Sequence, residues 1–268
     1  MKPLDVRSLI ILVFVISWIG VLPPLLTSYG YELPGWLNSL ELLMTLGPLL
    51  GAIIYVYLKN GRKGLASFFG RLLRFKTSPY VLFIALVLPF IVVYVSAKLG
   101  LWFTETPWPE EFTFSSIIST GLMMFGIYLV VNTEELVWRG LVFDSLFDKY
   151  GFVKACLYLI PIWWLFHLPL FCFSGGHPAG VGIPEFSVLV VAMTLLLGWI
   201  YVKSNRSLFY VHIHHQLLNG FGQAFPLFPF FIDGNKGPNW VMVVLFLLIA
   251  LFLARTSSKS LDSNRAKT

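Results

Sequence analysis

The sequence predicts an all-α polytopic membrane protein, and three observations lead to that fold class. Of the 268 residues, 57% are hydrophobic and 12% are charged, whereas a soluble domain has about 45–50% apolar and about 25% charged residues. The mean hydropathy of +0.79 points the same way. The apolar residues form continuous runs close to the roughly 20 residues of a transmembrane helix, without the alternation of a membrane barrel. A soluble enzyme and a disordered chain are therefore excluded.

Eight apolar stretches predict about eight transmembrane helices in a single integral-membrane domain, residues 1–268. The first stretch ends in Pro23-Pro24 without a small-residue cleavage site, so we expect it to remain as a span. No internal repeat of the kind found in inverted-repeat transporters is visible. The stretches cover residues 8–27, 37–58, 79–99, 115–135, 153–173, 185–202, 207–223 and 238–254.

The basic loop at residues 59–78 predicts a helix that lies on the membrane surface. Leucine and phenylalanine recur there at helical spacing among Lys and Arg residues, and no acidic residue is present. This pattern favours contact with anionic lipid headgroups. We therefore expect a cytoplasmic interfacial helix near residues 60–76.

The Lys and Arg residues predict the orientation in the membrane. With a cytoplasmic N-terminus, all of the 19 except Lys98 and Lys236 fall in cytoplasmic segments, which is the distribution that the positive-inside rule requires. Both termini are therefore expected to be cytoplasmic. The net charge of +6 is spread over these short segments, so membrane lipids are the expected partners and nucleic acid is not.

Polar residues inside the apolar stretches mark three places of functional interest. A charged side chain at the centre of a span costs about 2.5–3.5 kcal/mol on insertion scales, so such residues are candidates for function. The candidates are Glu134, Glu135 and Arg139 at the end of the fourth stretch, Trp163 and His167 in the fifth, and His212, His214, His215 and Asn219 in the seventh.

Helical spacing predicts how these residues face one another. Glu135 and Arg139 are four residues apart with the acid first, so they can form an ion pair along one helix face. The same spacing puts His215 and Asn219 on one face. His212 could share that face, whereas His214 points elsewhere.

A hairpin between the fourth and fifth stretches brings two of the three places together. The sequence Asp-Lys-Tyr-Gly at residues 148–151 predicts a turn, and Glu134 and His167 are equally distant from it along the chain. A continuous helix over residues 115–147 would be roughly 50 Å long, against about 30 Å of hydrocarbon, so the hairpin projects into the cytoplasm or the helix breaks. With His215 at a similar depth, we expect a shared cavity toward the cytoplasmic side.

A carboxylate, two imidazoles and an amide in one cavity are suited to hydrolysis by an activated water. Glu134 would take a proton from the water, and His167 would share that proton. His215 and Asn219 would donate hydrogen bonds to the oxyanion.

The same atoms could instead bind a divalent metal. A proton-coupled transporter or channel also uses intramembrane Glu and His, and a bis-histidine haem protein could use His167 and His215.

The motifs and their order resemble those of the CAAX prenyl protease and bacteriocin-processing family of intramembrane proteases. Glu-Glu-x-x-x-Arg at 134–139, aromatic-x-x-x-His at 163–167, and Ser-Leu followed by His-x-x-x-Asn within 207–219 carry the resemblance. The core motifs lie within residues 115–223, and the predicted helices extend the resemblance over the chain. One position differs, because Trp163 stands where the family usually has Phe, and we expect a change in packing there.

The resemblance implies an intramembrane endopeptidase, like the type II CAAX prenyl endopeptidases that remove the last three residues after a prenylated cysteine. By position, Glu134 and His167 would activate the water, and His215 and Asn219 would stabilise the oxyanion. Glu135, Arg139 and Trp163 would support them.

The resemblance leaves the metal and the substrate open. The family has been described both as metal-dependent and as metal-free; we expect no cofactor, with zinc on Glu134, His167 and His215 as the alternative. The expected partner is a lipidated or other membrane-anchored peptide. A role in bacteriocin processing or immunity is the alternative within the family.

Overall fold

The computed structural model describes residues 5–173, 175–177 and 180–262, with the backbone alone at 258–260 and 262. Its regular structure is entirely helical, which confirms the predicted fold class. The helices are α1 (Val6–Ser28), α2 (Leu42–Phe69), α3 (Pro79–Leu86), α4 (Leu88–Phe103), α5 (Phe114–Val131), α6 (Glu134–Val137), a π-helix (Trp138–Phe143), α7 (Asp144–Tyr150), α8 (Phe152–His167), α9 (Ile183–Lys203), α10 (Leu208–Gly222) and α11 (Gly237–Asp262).

Among the described residues, the helices that are long enough to span a membrane number fewer than the eight stretches that the sequence predicts. Six of the described helices are long and apolar enough to cross a membrane, and a seventh span results if the bent pair α3–α4 is counted as one. The predicted stretch 207–223 forms α10, which has only 15 residues. At 1.5 Å per residue this helix is about 22 Å long, shorter than the roughly 30 Å of hydrocarbon.

Helices α1 and α2 form an antiparallel pair that depends on small residues. Gly47 of α2 lies against Ser17 of α1, and Gly51 lies against Val13, with no room for a Cβ atom at either glycine. Beyond this contact α2 bends at Gly61, where φ is +62°, a conformation that glycine adopts without steric cost.

After the bend, the predicted interfacial segment is helical. The chain continues as α2 to Phe69 and then forms a 3-10 turn, Gly70–Leu73. Phe68 is buried, and Leu65 and Leu72 pack partly buried against the core. The apolar face therefore contacts the protein itself, and contact with lipid headgroups stays a prediction.

The third predicted span is broken, and His214 stabilises the break. Pro89 in the first turn of α4 has no N–H, so the carbonyl of Ala85 lacks its helical donor. The buried His214 supplies one, because its Nδ1 lies 3.2 Å from the oxygen of Ala85 and 3.1 Å from that of Ile84. A carbonyl oxygen only accepts, so Nδ1 carries the hydrogen. His214 is a structural residue here.

Between α5 and α8 the helix breaks, which is one of the two alternatives left by the sequence. Helix α5 ends at Val131, and α6 begins at Glu134 in a new direction. The chain then passes through the π-helix and α7 to Gly151, where φ is +81°. Helix α8 returns antiparallel from Phe152, which confirms the predicted turn.

Ion pairs tie this hairpin tip to its neighbours. Arg71 donates to Asp144 (3.0 Å) and to the hydroxyl of Tyr201 (2.7 Å). Arg206 donates to Asp144 (2.8 Å) and to Asp148 (2.7 Å). These contacts join the segment after α2, helix α7 and the α9–α10 loop. We call this side of the bundle, where α1 also begins, the basic end.

Candidate active site

The break before α6 positions Glu134. The Asn132 side chain accepts a hydrogen bond from the backbone N–H of Glu134 (3.2 Å), and Thr133 donates to the carbonyl of Thr45 in α2 (3.0 Å). Gln216 of α10 donates to the carbonyl of Asn132 (3.2 Å). Sequence reasoning assigned no role to Asn132, Thr133 or Gln216. The sequence does contain a signal for them: Asn132 and Thr133 are polar residues at the end of an apolar stretch, and Gln216 is an amide side chain within another.

The Glu134 carboxylate receives two indole N–H groups on one oxygen. Trp163 Nε1 lies 2.6 Å from Oε2, and Trp138 Nε1 lies 3.2 Å from the same atom. The residue is only 9% exposed. A phenylalanine at position 163 would have no N–H to donate, so the substitution noted in the sequence changes hydrogen bonding as well as packing.

His167 directs its second nitrogen at the same carboxylate. Its Nδ1 lies 2.9 Å from the carbonyl oxygen of Trp163, so Nδ1 carries the hydrogen. Its Nε2 then faces Glu134 Oε2 at 3.5 Å. That separation exceeds a direct hydrogen bond, for which about 3.2 Å is the usual limit. A water that lies beside these two atoms can be within hydrogen-bond distance of both.

Glu135 joins Arg139 to His215. Its Oε1 accepts from Arg139 Nη1 (2.8 Å) and from His215 Nδ1 (2.8 Å). Arg139 also donates to the Met193 carbonyl (3.0 Å), and its guanidinium lies 4.2 Å from the centre of the Trp163 ring. The predicted Glu135–Arg139 pair is therefore present. His215 is turned so that Nε2 is its free nitrogen.

The buried charges of the site balance with a single additional proton. Glu134 and Glu135 contribute two negative charges, and Arg139 contributes one positive charge. Since uncompensated buried charge is costly, one proton on His167 or His215 neutralises the group.

The seventh predicted stretch divides its polar residues among three surroundings. Asn219 reaches the cavity wall beside His215, with its Nδ2 3.5 Å from the Gln216 side-chain oxygen. His212 Nε2 instead lies 3.0 Å from the carbonyl of Leu129. His212 therefore binds α5 and does not line the cavity, whereas His214 binds the break in the third span.

A cavity of about 190 Å³ brings the predicted site residues together. It lies between α5, α8, α9, α10 and α11, and most of its lining is apolar. The predicted residues in its wall are Glu134, Trp163, His167, His215 and Asn219.

Three further polar residues, from the segment before α9 and from the first turns of α9 and α11, line this cavity, and sequence reasoning did not assign them to the site. His177 packs between Phe171 and Phe186. Burial, together with the charge of His167, lowers the pKa of His177 to about 3, so its ring is neutral at physiological pH. Glu185, bridged to Lys236 at 3.2 Å, and Asn239 complete the set. They lie in loops or in first helical turns, where polar residues are common and so do not indicate a functional site.

The cavity extends away from the basic end, and which face of the membrane that end occupies stays a prediction. It is lined by residues 215–222 of α10 and by the first halves of α9 and α11. The hairpin tip does not project from the bundle, because Arg71 and Arg206 hold it beside the α9–α10 loop. Glu134 and His167 are each about 16 residues from the tip, or about 24 Å.

The alternative zinc site does not fit the donor set. Among the described residues, no group of three or more His, Cys, Asp and Glu side chains is arranged to hold a metal ion. We therefore derive no step through a metal.

Comparison with known proteins adds independent findings. Residues 116–221 match the family described as type II CAAX prenyl endopeptidase Rce1-like. This range contains Glu134, His167, His215 and Asn219.

A curated relative named CAAX prenyl protease 2, from Methanococcus maripaludis, is 26% identical over 156 residues. The aligned part covers 56% of this chain and 56% of the relative. The similarity thus spans about half the length of each protein.

Proposed function

We propose that this chain, whose residues 116–221 match the Rce1-like type II CAAX prenyl endopeptidase family, is an intramembrane endopeptidase acting on membrane-anchored peptides. The observation that carries the proposal is the Glu134–His167 pair. Glu134 Oε2 and His167 Nε2 face each other across 3.5 Å, and both residues line a largely apolar cavity.

In this reaction Glu134 and His167 activate the water. The water oxygen bonds to the carbonyl carbon of the scissile amide while its proton passes to the Glu134 carboxylate. His167 Nε2 holds the same water, because its Nδ1 hydrogen is committed to the Trp163 carbonyl. The amide C–N bond then breaks, and the transferred proton goes to the leaving nitrogen.

The oxyanion is stabilised from α10. Asn219 Nδ2 and the Nε2–H of protonated His215 are the donors. Glu135 supports the protonated imidazole through the 2.8 Å hydrogen bond to Nδ1. Arg139 in turn donates to Glu135, so the carboxylate that holds His215 Nδ1 is in place before the oxyanion forms.

The substrate class is proposed from the position of α5. This helix lines the cavity with Tyr128, yet Gly121 is its one buried residue, so α5 lies at the periphery of the bundle. An acyl or prenyl chain in the bilayer can therefore approach the cavity beside α5. A prenylated CAAX-type peptide is the first substrate to test, and other membrane-anchored peptides are the alternative.

The test uses purified protein in detergent and a farnesylated CAAX peptide. We expect Glu134→Gln to lower kcat at least about 100-fold, the scale of general-base catalysis, with folding unchanged. Glu185→Gln is the matched control, because Glu185 lines the same cavity without contacting His167, and it should keep most of the activity. Near-normal turnover by Glu134→Gln would contradict the proposed mechanism.

The same assay tests the role of the lipid. Each buried methylene contributes about 0.8 kcal/mol to partitioning, so the farnesylated peptide should be cleaved far faster than the plain peptide at equal bulk concentration. Equal rates of the two peptides at equal bulk concentration would contradict a CAAX-type substrate and leave other anchored peptides.

A further inference from the structure

The two ends of the helical bundle carry opposite charge. Opposite the basic end lie the loops before α2, before α5 and before α11, together with the first turn of α9. Of the described Lys and Arg residues, Arg139 is internal and Lys98 and Lys236 alone lie at this second end. We call it the acidic end, after its carboxylates Glu32, Glu41, Glu105, Glu110, Glu111, Glu185 and Asp233.

The candidate site lies near the middle of the bundle. The indole of Trp18 in α1 donates to the carbonyl of Phe166, the neighbour of His167 (3.1 Å). Trp18 is twelve residues from the start of α1 at Val6 and ten from its end at Ser28. At 1.5 Å per residue these separations are about 18 Å and about 15 Å. At this depth a substrate could reach the candidate site from either end of the bundle.

The cavity connects this level with the acidic end. Its wall continues from His215 and Asn219 to Gln223 at the end of α10, and to Glu185 in the first turn of α9. A wider pocket of about 400 Å³ is formed by residues 175–177 and 228–231, and it shares Tyr128, His177, Gln223 and Phe228 with the cavity. The described lining of neither pocket includes a residue of the basic end.

We propose that the substrate reaches Glu134 from the extracytoplasmic side of the membrane. The positive-inside rule makes the basic end cytoplasmic, and the cavity opens at the other end. This inference rests on the proposed peptidase function. It narrows the substrate class to membrane-anchored peptides whose scissile bond lies in or beyond the outer leaflet. A tail anchored in the cytoplasmic leaflet would meet the closed, ion-paired end of the bundle.

Cysteine labelling tests the orientation without any assay of activity. Cys172 is exposed and Cys156 is buried, so both are first replaced by alanine. Single cysteines are then placed at Glu111 of the acidic end and at Lys76 of the basic end, both exposed positions. In intact cells a membrane-impermeant maleimide should label Glu111→Cys, and Lys76→Cys should react only after permeabilisation. The reverse pattern overturns the proposal.

A third cysteine tests the entrance itself. Gln223 lines the cavity between Asn219 and the wider pocket. In intact cells a small, charged thiol reagent should modify Gln223→Cys. Modification that occurs only when the reagent is given access from the cytoplasmic face overturns the proposed entrance, whether or not the protein is a peptidase.

Vesicles of defined orientation connect the entrance to catalysis. A lipidated fluorogenic peptide added from outside should be cleaved by right-side-out vesicles and not by inverted ones, and Glu134→Gln vesicles should be inactive in both. Cleavage by inverted vesicles alone overturns the inference while the peptidase function stands. Absence of cleavage even by detergent-solubilised protein contradicts the proposed function, and the labelling result then decides the direction of access.

Discussion

At the scale of single residues, the two oxygens of the Glu134 carboxylate have different surroundings. Both hydrogen bonds that the described residues donate to it end on Oε2, from Trp138 and Trp163. These donors fix the plane of the carboxylate, and hydrogen bonds to a charged group contribute about 1.5–3 kcal/mol each. Trp163 is therefore a positioning residue for the proposed base.

Two substitutions at position 163 separate its ring from its N–H. Trp163→Phe keeps an aromatic face against Arg139 and His215 but loses the donor to Glu134. We expect kcat to fall about tenfold, the equivalent of one weak charged hydrogen bond, with little change in Tm. Trp163→Leu also loses the ring and should be much less active and less stable. Unchanged kcat in Trp163→Phe would show that the indole N–H does not position the base.

Removal of metal ions tests whether Glu134, His167 and His215 act as metal ligands. Since no group of three or more His, Cys, Asp and Glu side chains among the described residues is arranged to hold a metal ion, we expect activity to survive dialysis against a chelator. Elemental analysis of the active protein should show no stoichiometric zinc. Loss of activity that a divalent ion restores would instead make Glu134, His167 and His215 metal ligands.

At the scale of helices, the contact between α5 and α10 sets the geometry of the site. An added Cβ at Gly220 of α10 would lie 2.6 Å from the backbone nitrogen of Phe125 in α5. A Cβ at Gly121 would lie 2.4 Å from the ring of Phe221. Helix α10 carries His215 and Asn219, and α5 leads to Glu134. The distance between these two helices therefore controls the distance between Glu134 and the two α10 side chains.

Gly220→Ala tests this contact. The new methyl group meets backbone, which cannot move aside as a side chain can, and overpacking of this kind costs about 1–3 kcal/mol. We expect a lower Tm and a large loss of activity. Gly126→Ala is the matched control, because a Cβ there meets nothing within 4 Å, and it should be neutral. Equal effects of the two substitutions would contradict the close approach.

At the scale of the whole molecule, the sequence predicts the helical class and the convergence of the site residues, because both follow from local patterns. Apolar runs define most helices, and equal distance from one turn places Glu134 beside His167. The break at Asn132 and the tryptophan donors to Glu134 depend on contacts with distant helices, which no local spacing encodes. The direction of the cavity depends on which halves of α9, α10 and α11 line it, and periodicity does not predict that packing.

The ion pairs of the basic end should contribute to the stability of the protein and not to its activity. Asp144 accepts hydrogen bonds from both Arg71 and Arg206, and it follows Glu134 by ten residues, or about 15 Å. Burial opposes the charge of Arg206, but the hydrogen bond that it donates to Asp148 and the charges of Asp144 and Asp148 raise the pKa of its guanidinium. These ion pairs therefore persist across the physiological pH range and hold three separate segments together.

We expect Asp144→Asn to lower the stability of the protein without altering its chemistry. Weakening two charged hydrogen bonds removes about 1.5–3 kcal/mol, so Tm should fall by about 5 °C at about 2–4 °C per kcal/mol. The kcat of the folded protein should stay unchanged, because Asp144 contacts no residue of the cavity. Asp233→Asn at the exposed acidic end is the matched control and should alter neither value. If Asp144→Asn abolished turnover while Tm stayed constant, the basic end would have to act on the site directly.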